Sequence, residues 1–180
     1  FNAKGNPFGQ LLAVVFSLMY GGISYTFAYY GEMITYLGMT MPMAVFALIS
    51  WMRNPYNGNK AEVKVNAISR KETAWMCVGA AAVTAVFYFI LTYFHTANIV
   101  PSTISVTTSF LAVYLTFRRS PYFALAYAAN DIVLIVLWTL ASAYDIRYIS
   151  VVVCFAAFFV NDLYGYINWQ KMKLRQAKAY

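Results

Sequence analysis

The chain has 180 residues, 62% of them hydrophobic and only 11% charged, with a net charge of +7. A soluble domain carries about 25% charged residues, so this composition excludes an ordinary soluble fold and predicts an all-α polytopic membrane protein. The Lys and Arg residues are sorted by loop between apolar segments rather than gathered in a stripe, so no nucleic-acid partner is expected.

Six segments approach the roughly 20 residues that cross about 30 Å of hydrocarbon as a helix: 8–30, 33–52, 73–95, 98–117, 121–144 and 146–169. In the first, Ser17, Gly21, Gly22 and Ser24 read as close-packing contacts. In the second, Thr40 and Pro42 predict a kink that frees a carbonyl. Residues 53–72 are the only long polar stretch and are expected to form a basic cytoplasmic loop. The third segment, with residues 73–97 as its domain, reads as a linker helix, and Cys77 and Cys154 read as packing residues inside spans. The fourth carries Thr103, Thr107, Thr108 and Ser109, whose hydroxyls most often bond their own helix backbone; Thr107 is kept as a weaker cargo candidate. Residues 171–180 form a basic tail. The chain begins at Phe1 with no charged n-region or small-residue cleavage site, so no signal peptide is visible and further sequence upstream is expected.

Twelve of the 13 basic residues fall on one side: Lys4, five between Arg53 and Lys71, Arg118 and Arg119, and four from Lys171 to Lys178. Arg147 lies opposite, as do the turns carrying Glu32 and His95. By the positive-inside rule both visible ends and both basic loops are cytoplasmic.

Two helix endings resemble each other at a spacing of 118 positions, Ile49-Ser50-Trp51-Met52-Arg53 and Ile167-Asn168-Trp169-Gln170-Lys171. Taken simply, Trp51 and Trp169 are interfacial anchors flanked by snorkelling cations. A duplicated bundle is the sharper reading, because transporters often hold their cargo site between internal repeats. Residues 1–52 would then be part of a first three-helix repeat and 98–170 a second, parallel one, with the first helix of the first repeat upstream of Phe1.

The costliest feature is a repeated dipeptide inside apolar spans, Asn130-Asp131 and Asn161-Asp162. A carboxylate at the bilayer centre costs at least about 2.5 kcal/mol and usually faces a cavity, a partner or a cargo. Helical spacing puts Trp138 on the face of Asp131, aligns Asn161 with Tyr164 and Asn168, and sets Asp162 on the adjacent stripe with Tyr166 and Trp169. Counting about 1.5 Å per residue, both pairs lie roughly 12 to 15 Å deep, near the midplane of adjacent antiparallel helices. Carboxylates, amides and flat rings suit a small cationic ring with hydroxyl groups. The bland alternative is interhelical glue, worth about 0.6 kcal/mol per contact. Trp51 and Trp169 are weaker candidates. There is no phosphate-cradling Gly loop and no metal-spaced His or Cys set, so no catalytic residue, metal or cofactor is predicted.

The order Leu18-Met19-Tyr20, Tyr29-Tyr30-Gly31-Glu32-Met33-Ile34, Met41-Pro42-Met43 and Ile49-Ser50-Trp51, closed by Val160-Asn161-Asp162-Leu163-Tyr164-Gly165-Tyr166-Ile167-Asn168-Trp169, resembles the PnuC-type vitamin transporters over essentially the whole chain. The resemblance implies a homotrimer of three-one-three bundles in a bacterial cytoplasmic membrane. It implies import of nicotinamide riboside by facilitated diffusion, with a cytosolic kinase trapping the riboside. It places cargo on Asn130, Asp131, Trp138, Asn161, Tyr164 and Asn168. Relatives carry thiamine or riboflavin, and a substrate-capture subunit of an ATPase-driven vitamin importer is the alternative of another class. Where several relatives have Pro-Met-Gln, this chain has Pro42-Met43-Ala44. That departure puts a polar contact from the first half in question, and because both Asn-Asp pairs lie in the second repeat the pocket should be lopsided.

Overall fold

The computed structural model describes residues 1–26, 29–96 and 98–178; the parts of the predicted 8–30 span, 73–97 linker and 171–180 tail at Phe27, Ala28, Ala97, Ala179 and Tyr180 lie outside them. Each predicted span has a helix in its place. Helices α1 (Phe8–Thr26), α2 (Tyr30–Thr35), α3 (Met41–Met52), α4 (Arg70–Tyr93), α5 (Ile99–Phe117), α6 (Phe123–Ser142) and α7 (Ile149–Lys178) account for six membrane-length units, because α2 and α3 are joined through Tyr36–Thr40.

That join is a π-helical segment, not the simple kink expected of Pro42. Pro42 has no N–H to give to the carbonyl one turn back and its ring crowds that carbonyl. A π turn just before it relieves the conflict by inserting one residue, which re-aims the side chains that follow.

The predicted basic loop is partly ordered. Strands β1 (Pro55–Tyr56) and β2 (Asn59–Val63) pair antiparallel across Asn57-Gly58, both left-handed at φ 49° and 78°. Asn-Gly is the usual sequence of a two-residue hairpin turn, since both central residues need positive φ. Helix α4 begins three residues earlier than expected. Ser69 accepts from the backbone N–H of Glu72 at 3.2 Å, the Ser-x-x-Glu signal of a helix start. Helix α7 does not stop at residue 169 but continues to Lys178. At about 1.5 Å per residue its 30 residues run some 45 Å, well beyond the hydrocarbon. What read as a basic tail is thus a helical extension, and the hairpin docks on it. Gln176 Nε2 donates to Glu62 at 2.9 Å and to the Val63 carbonyl at 3.1 Å, while its Oε1 accepts from Val65 N–H at 2.8 Å.

In the bundle α5 packs on α4 and α6, α6 packs on α7, α1 packs on α3, and α3 reaches across to α5. Trp51 and Trp169 are not at the lipid interface. Both are fully buried, 5.3 Å apart ring to ring, in a core with Phe123, Leu115 and Met172. Their surroundings match. Trp51 Nε1–H donates to the Thr116 carbonyl and Trp169 Nε1–H to the Asn2 carbonyl, each at 2.8 Å. Each acceptor lies three residues before a left-handed residue, Arg119 (φ 57°) or Gly5 (φ 68°), and each of those is followed two positions later by Pro121 or Pro7. Buried indoles need a partner for their one donor, and both find it on the opposite half of the chain.

Candidate functional site

Inside this apolar bundle the polar side chains collect on α5, α6 and the first two spans. Asn130 is buried on α6, where its Oδ1 accepts from Ser109 Oγ at 3.0 Å and from Thr108 Oγ1 at 2.7 Å. So the fourth span's hydroxyls do more than bond their own backbone. Asp131, also buried, neighbours the carboxyl of half-buried Asp162 across the α6–α7 contact, and its Oδ2 has no partner among the described residues. A buried carboxylate oxygen without a donor is unfavourable by itself.

Two helical turns along α6, about 10.5 Å from Asp131, lies Trp138, which is 1% exposed. Its Nε1–H donates to Tyr20 Oη at 2.8 Å. Tyr29 and Tyr148 approach its ring at 4.8 Å and 5.4 Å between centroids, and Tyr36 packs against Tyr20 at 4.3 Å with the rings tilted by 57°. Four tyrosines from both halves thus line an aromatic tier around one indole.

Glu32 joins the two tiers. Charge sorting placed it in an outer turn; it is instead 1% exposed inside the bundle, beside the hydroxyls of Tyr20 and Ser105, with Oε2 unpartnered among the described residues. It occupies the first turn of α2, where unsatisfied N–H groups favour a negative charge. Tyr36, set just past α2 in the π segment, is within electrostatic reach of both Glu32 and Asp131. The first half thus brings polar side chains of its own to this region. Tyr20 comes from α1, Glu32 from α2 and Tyr36 from the π segment that follows it. The signal that could have found Glu32 was its place in the Tyr29-Tyr30-Gly31-Glu32 motif, whose Tyr29 packs against Trp138.

Not every residue singled out by spacing reaches this column. Asn161 is exposed on α7, with its amide 3.4 Å from Asp162, and Tyr164 is 53% exposed on the same flank. Asn168 lines a separate cavity at the basic end with Lys4, Lys171 and Arg175. Thr107 turns toward α4, its hydroxyl 2.7 Å from that of Thr84. Trp51 and Trp169 fill the core at the basic end, as described above.

The column therefore holds Asn130, Asp131 and Trp138 from α6, Asp162 from α7, Thr108 and Ser109 from α5, and Tyr20, Glu32 and Tyr36 from the first half. Known proteins resemble this chain over nearly its whole length. A nicotinamide riboside transporter PnuC of Neisseria mucosa is 28% identical over 184 residues, an alignment covering 98% of this chain and 69% of that protein. The crystal structure of the vitamin B3 transporter PnuC has the same fold, with a TM-score of 0.82 at 24% identity over 97% of this chain and 76% of that one. The model of the nicotinamide mononucleotide transporter family matches residues 1–171, from the first turn to the extended last helix, and this multi-pass chain belongs to that family.

Proposed function

We propose that the chain imports nicotinamide riboside across a bacterial cytoplasmic membrane by facilitated diffusion, through the buried polar column between two three-helix repeats. One observation carries the reading: three buried or half-buried carboxyls, Glu32, Asp131 and Asp162, share a column with Trp138 and its tyrosines, and no basic side chain lies in the spans around them. A cationic pyridinium gains from the ring faces and offsets the carboxylate charge, while Asn130 offers a carbonyl and an amide to ribose hydroxyls or a carboxamide. Thiamine also carries a cationic ring and competes on charge. Riboflavin, being neutral, matches three acids less well.

The paired environments of Trp51 and Trp169 support parallel repeats in residues 1–52 and 98–170, with α4 as the linker. Rocking of one repeat against the other would open the column to either side. In this proposal the chain works as a homotrimer, its visible termini face the cytoplasm, and a cytosolic kinase acting on the riboside draws the flux inward. A substrate-capture subunit remains the competing class, because α4 and α5 present an open groove of about 650 Å³ with a small-residue wall of Ala80, Ala81 and Ala85 that suits a docked partner.

The test is uptake into liposomes that contain this protein alone. Riboside entry without any ATPase subunit is the expected result; binding without entry sinks the transporter reading in favour of capture. A thermal-shift panel of nicotinamide riboside, thiamine and riboflavin names the cargo, since a ligand that binds only the native state stabilises it increasingly as its concentration rises above its dissociation constant.

A further inference from the structure

The geometry points to a phosphate-binding site at the basic end of the bundle, separate from the polar column and independent of which cargo the column takes. A cavity of about 320 Å³ lies between the first turn of the chain, the hairpin and α7, at the lower end of the range for small-molecule clefts. Its polar wall is Lys4, Glu62, Asn168, Lys171 and Arg175. Asn168, Lys171 and Arg175 are spaced three, then four residues apart, so α7 presents them as one stripe.

The acid in this wall is already committed. Glu62 Oε1 accepts from the Arg175 guanidinium and from Gln176 Nε2, the latter at 2.9 Å. Among the described residues no carboxylate pairs with Lys4 or Lys171. Three cations and one satisfied acid therefore converge on one hollow. Its frame is braced on every side. Lys4 sits in a turn closed by Gly5, whose carbonyl accepts from Val63 N–H at 2.9 Å, and the preceding Asn2 carbonyl holds the Trp169 indole at 2.8 Å. Gln176 ties the hairpin to α7. Unlike a flat basic surface, this frame fixes the backbone from which the three cations project around one hollow, which lowers the ordering cost of binding.

A phosphate group fits this chemistry. Arg175 keeps guanidinium donors beyond the one used by Glu62, Lys4 and Lys171 supply point charges, and Asn168 adds a neutral amide donor. The hollow also has an apolar wall of Ala3 and Met172, which suits the organic part of a phosphate ester over a bare ion. Two sources share that chemistry, a soluble phosphomonoester and the headgroup of an anionic lipid.

The full chain in nanodiscs distinguishes them. In phosphatidylcholine discs, glycerol 3-phosphate and inorganic phosphate are titrated and the unfolding temperature is followed; in a second arm, phosphatidylglycerol replaces part of the lipid. Stabilisation of the wild type in the first arm assigns the soluble ester, and in the second arm alone the headgroup. In either case the double substitution Lys4→Gln/Lys171→Gln is expected to weaken the effect at least tenfold, Lys4→Arg/Lys171→Arg to keep it, and the charge-matched Lys60→Gln/Lys178→Gln to leave it unchanged. The ligand-free unfolding temperature of each variant reports whether it folds. No stabilisation in either arm overturns the site, as does equal weakening in both Gln variants, which would mean a diffuse surface field.

Discussion

At the scale of single residues, the carboxyls of the column divide into two kinds. Asp131 and Asp162 face each other across a helix pair, whereas Glu32 stands at a helix start among hydroxyls. If all three meet a cationic cargo, Glu32→Gln and Asp131→Asn should each lower nicotinamide riboside affinity at least tenfold, about 1.4 kcal/mol, while leaving the unfolding temperature of the empty protein unchanged or raised. Calorimetric titration measures the first and a thermal melt the second; wild-type affinity in both variants would sink the column as the cargo site. Trp138→Phe isolates a different contribution. It keeps a flat ring but removes the 2.8 Å bond to Tyr20, so it should cost about 1 kcal/mol of stability and weaken cargo binding less than Trp138→Ala does.

Elements explain why these residues meet. The π segment that begins at Tyr36 sets the rotation of α2, and with it Tyr36, relative to α3, because Pro42 cannot continue the ladder behind it. Pro42→Ala removes that demand, so α2 and α3 should merge into a regular helix, turning Tyr36 relative to Tyr20 and reducing uptake with little change in helix content by circular dichroism. On the opposite side, Asp145 starts the short helical turn Ile146–Tyr148 by accepting from the Arg147 N–H at 3.0 Å, and the Arg147 guanidinium holds its carboxyl below the usual carboxylate range. A depressed carboxyl contributes its stabilisation fully above the unfolded pKa of about 3.9 and loses it as pH falls through the lower folded value. Protection of the Arg147 amide against hydrogen exchange should therefore be constant above about pH 4 and fall below it.

Across the whole molecule, the two buried tryptophans staple the halves together at the basic end. Each ring fills the shared core and hands its one donor to a backbone carbonyl of the other half. Truncating a large buried ring costs about 3 to 5 kcal/mol. Trp51→Ala and Trp169→Ala should each lose that much in reversible unfolding, and the double variant less than the sum, because residues in contact do not act independently. Orientation is tested at the same scale. With Cys77 and Cys154 replaced, Lys60→Cys should react with an impermeant maleimide only from the cytoplasm and His95→Cys only from outside. The reverse pattern would invert the proposed topology.

The sequence by itself determined the class of molecule, the six spans and their approximate ends, because lipid demands long apolar helices and that demand is written in consecutive residues. It also singled out Asn130, Asp131 and Trp138, since a buried acid in an apolar run is costly wherever the helix packs. It could not tell that Glu32 lies inside the bundle, that Trp51 and Trp169 leave the interface for the core, or that Asn161 and Tyr164 face outward. Helical periodicity states which residues share a face, not which face meets a neighbour. That choice depended on helix rotation, set by packing between segments more than a hundred positions apart, such as Tyr20 with Trp138 and Asn2 with Trp169.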